Sequence, residues 1–142
     1  MYSYSTLLIL CLLPLATAMR KQSVGVRGQF LCDGRPLANT MVKLWDEDHG
    51  PDPDDLLATG NTDANGRFQL SGSETELTTI DPRLKVYHNC DLGINPCRRK
   101  VTFEIPKKFI ASGPNVVQWY DLGSINLNTK FPGEERDCIP NV

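Results

Sequence analysis

Place residues whose numbers add to 187 opposite one another, and the stretch from Arg83 to Glu104 closes into a matched antiparallel ladder. Val86 then faces Val101 and Leu84 faces Phe103 on one side, while Arg83 faces Glu104 on the other. Cross-strand pairs of this kind contribute roughly 0.2–1 kcal/mol each, and a slip of one residue would turn the whole apolar set toward water. The same register brings Cys90 opposite Cys97, which predicts a disulfide at the mouth of the hairpin. A chain carrying such a hairpin is committed to building a β architecture around it.

The flanking sequence supplies the rest of that architecture. Val24, Val26, Phe30 and Cys32 share one face of an alternating stretch, with Gly28 between them, the mark of a half-buried strand. A second strand is expected over Met41–Asp46, with Val42 and Leu44 on one side and Lys43 on the other. A third follows near Leu56 to Thr62, then the hairpin signal Asp63-Ala64-Asn65-Gly66, where Asn and Gly tolerate positive φ. Arg67 to Leu70 returns with Phe68 and Leu70 inward, and residues 71–82 read as a connection. Pro106 ends the matched ladder because it has no N–H to donate, and residues 107–114 read as a turn region. The last strand segment, Val116 to Leu127, is interrupted at Gly123, which predicts a bulge or bend. Short strands with turn signals every 8–12 residues indicate a β-sandwich.

The cysteines and the amino terminus bear on the compartment. An apolar stretch from Thr6 to Leu15 followed by Ala16-Thr17-Ala18 has the form of a signal peptide, residues 1–18. Cleavage there removes Cys11 and leaves a single domain over 19–142 with four cysteines: Cys32, Cys90, Cys97 and Cys138. An even set in an exported chain reads as two disulfides. With Cys90 bound to Cys97, Cys32 must join Cys138. The expectation is a secreted protein of the extracellular region, with the cell surface included.

Several function classes fall away on composition and motif. With 15 basic and 17 acidic residues the net charge is −2, which argues against a nucleic-acid partner. No Gly-x-Ser-x-Gly elbow and no His-Glu-x-x-His is present, so no catalytic residue is assigned. His88 falls opposite Arg99 in the ladder, a structural or surface position; His49 lies in an acidic loop. His88-x-Cys90 with Cys97 resembles a zinc ligand set, but zinc sites favour tighter spacing and export favours oxidation, so no metal and no cofactor is assigned. The acidic run from Asp46 to Asp55 fails the calcium-loop pattern, because Pro51 stands where Gly is required. It reads as a solvated loop, with weak, millimolar-range calcium binding left open. Trp45 and Trp119 are expected to pack on the core or on a sheet face.

The basic residues Arg98, Arg99, Lys100, Lys107 and Lys108 are the candidate anion-binding set. The two clusters sit at opposite ends of one expected strand, about 25 Å apart at about 3.3 Å per residue. That exceeds the Debye length of about 8 Å, so they would act as separate small patches.

Taken in order, the pieces resemble a known family. They are Gly28, Cys32-x-Gly34, Asp54-Asp55-Leu56, Thr62-Asp63-x-x-Gly66-x-Phe68, Tyr87-His88-x-Cys90, Cys97, Ile105-Pro106, Leu122-Gly123-x-Ile125-Asn126-Leu127 and Arg136-Asp137-Cys138. The chain is similar to the nematode transthyretin-like proteins over nearly all of its mature length. The resemblance implies a transthyretin-type sandwich of seven or eight antiparallel strands in two sheets, with no catalytic activity shared across the family. It specifies no ligand, so the partner is expected to be an unidentified extracellular molecule or cell-surface receptor. Bridging to anionic lipid or glycan through the five basic residues is the alternative. A hydrolase of the hydroxyisourate type is the least favoured reading, because those enzymes resemble this fold but end in Tyr-Arg-Gly-Ser, where this chain ends in Pro-Asn-Val.

Overall fold

A computed structural model describes residues 19–48, 50–51 and 53–139. The expected leader, residues 1–18, lies outside the described residues, as do His49 and Asp52. Among the described residues ten strands form two five-stranded sheets. One sheet is centred on β1 (Arg20–Cys32), which pairs with β2 (Arg35–Pro36), β5 (Arg67–Glu76), β8 (Ala111–Ser112) and β9 (Tyr120–Asn126). The other runs β10 (Glu135–Asp137), β7 (Arg98–Glu104), β6 (Pro82–His88), β3 (Met41–Asp46) and β4 (Asp55–Asn61). We refer to them as the β1 sheet and the β6 sheet.

The inner faces follow directly from period-two alternation. Val24, Val26 and Phe30 from β1 meet Val42, Leu44, Leu84 and Val86 from β3 and β6, all fully buried. Phe30 stacks on Phe68 with ring centroids 4.9 Å apart and lies 5.9 Å from Phe103, so aromatic rings from both sheets fill the centre. The sum-187 register holds from Arg83↔Glu104 to His88↔Arg99. Gly123 occupies the expected bulge: Arg27 faces Asp121 and Gln29 faces Ser124, which leaves two residues of β9 against Gly28. Gly123 adopts φ +70° there, and its N–H donates to Asp121 Oδ1 at 2.8 Å.

Three expectations are corrected. The sheets are not wholly antiparallel, because β9 runs parallel to β1. It reaches β1 only after the chain has traversed the β6 sheet, and local alternation carries no information about strand direction. The Asp63–Gly66 turn forms, with Asp63 Oδ1 accepting from the N–H groups of Asn65 and Arg67 at 2.9 Å each, yet it does not make a hairpin. β4 pairs with β3 and β5 pairs with β1, so the turn carries the chain from one sheet to the other. Finally, residues 71–76 are strand rather than connection, since β5 stays in register with β1 as far as Arg20↔Glu76.

The disulfide pairing is also corrected. All four cysteines are oxidised, but the bonds are Cys32–Cys90 and Cys97–Cys138, with Cα separations of 5.7 and 4.5 Å. The ladder ends at His88, and the Cys90 N–H turns back to donate to His88 Nδ1 at 3.1 Å. Cys90 therefore stays inside, only 2% exposed, and reaches Cys32 at the end of β1 in the facing sheet.

Candidate functional site

Alternation that buries one face of the β6 sheet presents the other to solvent, and that outer face is rich in cations and aromatic rings. Lys43 and Trp45 come from β3, Lys85 and Tyr87 from β6, Arg98 and Lys100 from β7. Three cations gather on Tyr87: Lys43 Nζ lies 5.4 Å from the ring centroid, Lys100 Nζ 5.8 Å and Arg98 Cζ 5.2 Å. Lys85 Nζ lies 5.4 Å from the Trp45 ring. Contacts of this geometry stabilise a surface cation by roughly 0.5–1 kcal/mol and hold it in place. The aliphatic stems cover Tyr87, which is 8% exposed, and burial pushes its hydroxyl above the ordinary tyrosine value.

The balance of charge across this face is uneven. At the β10 edge Arg98 pairs with Asp137 at 2.7 Å, and Lys100 lies 3.7 Å from Glu135. Arg83 is held by Glu47, by Glu104 at 3.0 Å and by Asp81 at 3.5 Å. Lys43 and Lys85, directly opposite one another on β3 and β6, have no carboxylate within ion-pair distance among the described residues. Like charges placed opposite on a sheet disfavour folding by a few tenths of a kcal/mol or more.

The five expected anion-binding residues do not form one site. Arg98 and Lys100 belong to the outer face. Arg99 points inward and is 3% exposed, so its place in the set is corrected. Its guanidinium donates to both carboxylate oxygens of Glu134, at 3.0 and 2.7 Å. It also donates to the carbonyls of Cys90 at 2.9 Å and Thr129 at 2.8 Å. Burial alone would raise the Glu134 carboxyl, but the Arg99 hydrogen bonds and charge hold it below its ordinary value. Lys107 and Lys108 start a short helical turn, Lys107–Phe109, after Pro106. Lys107 borders a depression lined by Asp46, Glu47, Asp55 and Glu76, and Lys108 lies over Phe109 at 5.3 Å. Alternation about the sum-187 register already separates Arg99 from its neighbours. The same alternation picks out Lys43 and Lys85, which a search for runs of basic residues passes over.

His88 takes the structural role. It is 1% exposed beside Arg99, and burial first, then the Arg99 charge, lower its imidazole from 6.5 to about 4. Trp119 lies over Gly25 on the outer face of the β1 sheet, where an added Cβ would come within 2.6 Å of the ring.

Two sheets joined by a disulfide, one of them with a cationic outer face, define an all-β sandwich. The chain belongs to the transthyretin-like family, whose sequence pattern matches residues 27–106. It is 51% identical to transthyretin-like protein 33 of Caenorhabditis elegans, over 95% of this chain and 94% of that one. It is 48% identical to transthyretin-like protein 5 of the same animal, over 94% and 97% of the two chains. Among solved structures, a 9R-lipoxygenase from Cyanothece aligns with 88% of this chain at a TM-score of 0.42 and 26% identity. This chain spans 19% of that protein, and the likeness carries no argument about function.

Proposed function

We propose that the chain is a secreted, non-enzymatic binding protein of the extracellular fluid or cell surface, and that it meets an anionic partner with the outer face of the β6 sheet. The observation that carries this reading is the unneutralised pair Lys43 and Lys85, held opposite each other beside Trp45 and Tyr87. Because strands, stacked rings and disulfides fix the cations in advance, binding orders few side chains, and that lowers its entropic cost.

A second reading, bridging to anionic lipid or glycan, draws support from the spread of cations over three strands of the same face. Arg98, Lys100, Lys43 and Lys85 would carry it in place of the original five residues. A panel of heparin, anionic vesicles and neutral vesicles separates these outcomes. Binding to an anionic surface should weaken at least tenfold in a Lys43→Ala/Lys85→Ala variant and fall steeply with salt. Binding that is insensitive to both would remove this face from consideration.

A further inference from the structure

Strand alternation points three carboxylates into one end of the space between the sheets. On β3 the inward positions run Val42, Leu44, Asp46, and on β5 they run Phe68, Leu70, Gly72, Glu74, Glu76. Apolar residues fill the earlier inward positions of both strands, whereas acids take the last ones. Asp55, opposite Asp46 at the start of β4, adds a fourth. Gly72 makes the meeting possible: a Cβ there would come within 2.7 Å of the Leu57 backbone oxygen, so β5 lies hard against β4.

One oxygen each from Asp46, Asp55, Glu74 and Glu76 lies within 4.8 Å of the other three. Oxygens bound to a single Ca²⁺ at about 2.3–2.6 Å stand at most about 5 Å apart, whereas Mg²⁺ at about 2.0–2.1 Å brings them within about 4.2 Å. A donor set made only of oxygen suits hard cations of this kind.

A second observation is independent of that spacing. Asp46 is 1% exposed; its Oδ1 accepts from the Asp81 N–H at 2.8 Å, but its Oδ2 is buried with no hydrogen-bond partner. Glu74 Oε2 is in the same position. A buried acceptor without a donor costs roughly 1–3 kcal/mol, and more when charged. Lys107 borders the adjoining depression and Arg20 faces Glu76 in the register, yet neither forms an ion pair with the four acids among the described residues. Four carboxylates gathered this closely repel one another, and that crowding is what a divalent cation would relieve.

We propose that Asp46, Asp55, Glu74 and Glu76 form a calcium site that closes this end of the sandwich. Its affinity falls in the range of extracellular calcium modules, about 10⁻⁴–10⁻³ M. The site draws on the two ends of the acidic loop, not its middle, and takes half its ligands from β5.

Calorimetric titration of the chelator-treated mature chain with CaCl₂ tests this. One saturable site is expected, together with a rise in the unfolding midpoint of about 3–6 °C at ten times Kd. Asp46→Asn and Glu76→Gln should each weaken binding at least tenfold, while Glu104→Gln, on the outer face, should leave it unchanged. Glu76 is only partly buried, so its variant carries the test if Asp46→Asn does not fold. The assignment is overturned by no saturable binding up to about 10 mM, a concentration above the whole extracellular range. Equal affinity for Mg²⁺, or titrations that neither variant alters, would overturn it as well.

Discussion

Cys97 stands directly opposite Cys138, one step beyond the Arg98↔Asp137 pair in the register that joins β7 to β10. The bond between them prolongs a ladder and pins the tail to the sheet edge. Arg136 strengthens the same junction by donating to the carbonyls of Asn95 and Cys97 at 3.1 and 3.0 Å and of Leu92 at 2.8 Å. The other bond, Cys32–Cys90, joins the two sheets.

Mass spectrometry of the non-reduced protein after digestion should therefore yield Cys32–Cys90 and Cys97–Cys138 peptides. The bonded cysteines are 58 and 41 residues apart, so each bond contributes about 4 kcal/mol on the chain-entropy account. A Cys97→Ser/Cys138→Ser variant should lose stability of that order in denaturant titration. Recovery of a Cys90–Cys97 peptide from native material would contradict the fold at its loop end.

The buried Arg99–Glu134 pair makes a second prediction. Replacing Arg99 with Met leaves the Glu134 carboxylate enclosed without its partner, at a cost of about 3–5 kcal/mol. The double variant Arg99→Met/Glu134→Leu should recover part of that loss, because the stranded charge goes with it while the Cys90 and Thr129 carbonyls stay without their donor. Urea unfolding of the three proteins measures both effects.

His88 sets an acid response. Its imidazole is held near 4 in the fold against 6.5 unfolded, so the unfolded chain takes up the proton first as pH falls. The stabilisation is complete above about 6.5 and disappears on the way down to about 4, a change of about 3 kcal/mol. The raised Glu74 and Glu76 carboxyls act in the opposite sense, favouring the fold at low pH and losing that effect as pH rises through their folded values. The measurement is thus the difference in stability between the wild-type chain and His88→Asn across pH 4–7. The gap should narrow by about that amount on acidification. A constant gap would show that His88 does not titrate differently in the two states.

Gly66 offers a local test of the turn between sheets. It holds φ +74°, its carbonyl accepts from the Phe30 N–H at 2.8 Å, and an added Cβ would collide with the Phe30 carbonyl oxygen. Gly66→Ala should cost about 2–4 kcal/mol from backbone strain and displacement of β1 together, read as a lower unfolding midpoint. Gly34→Ala, where φ is +79° but nothing lies within 4 Å of the added atom, should cost only about 1 kcal/mol.

Alternation, turn chemistry and cross-strand matching are local properties, and they determined the central strands, though not the end of β5 or the short strands β8 and β10. Met41–Asp46 forms with the bounds read from its pattern, the 83–104 ladder keeps its register, and Gly123 makes its bulge. They also determined which side of each strand is wet, and so which cations face out. Sheet membership was decided only by the assembled sandwich: β9 runs parallel to β1, and β4 and β5 belong to opposite sheets. Cys97 satisfies a ladder with Cys90 on one side and with Cys138 on the other, and nothing in the neighbouring residues chooses between them. The choice comes from Cys90 being buried against β1 across the core, a contact between residues 58 positions apart. The acidic cluster has the same origin, since Asp46 and Glu76 meet only when two sheet edges close on Gly72. Short-range sterics and polarity are written residue by residue, whereas which faces meet depends on burying the whole apolar surface at once.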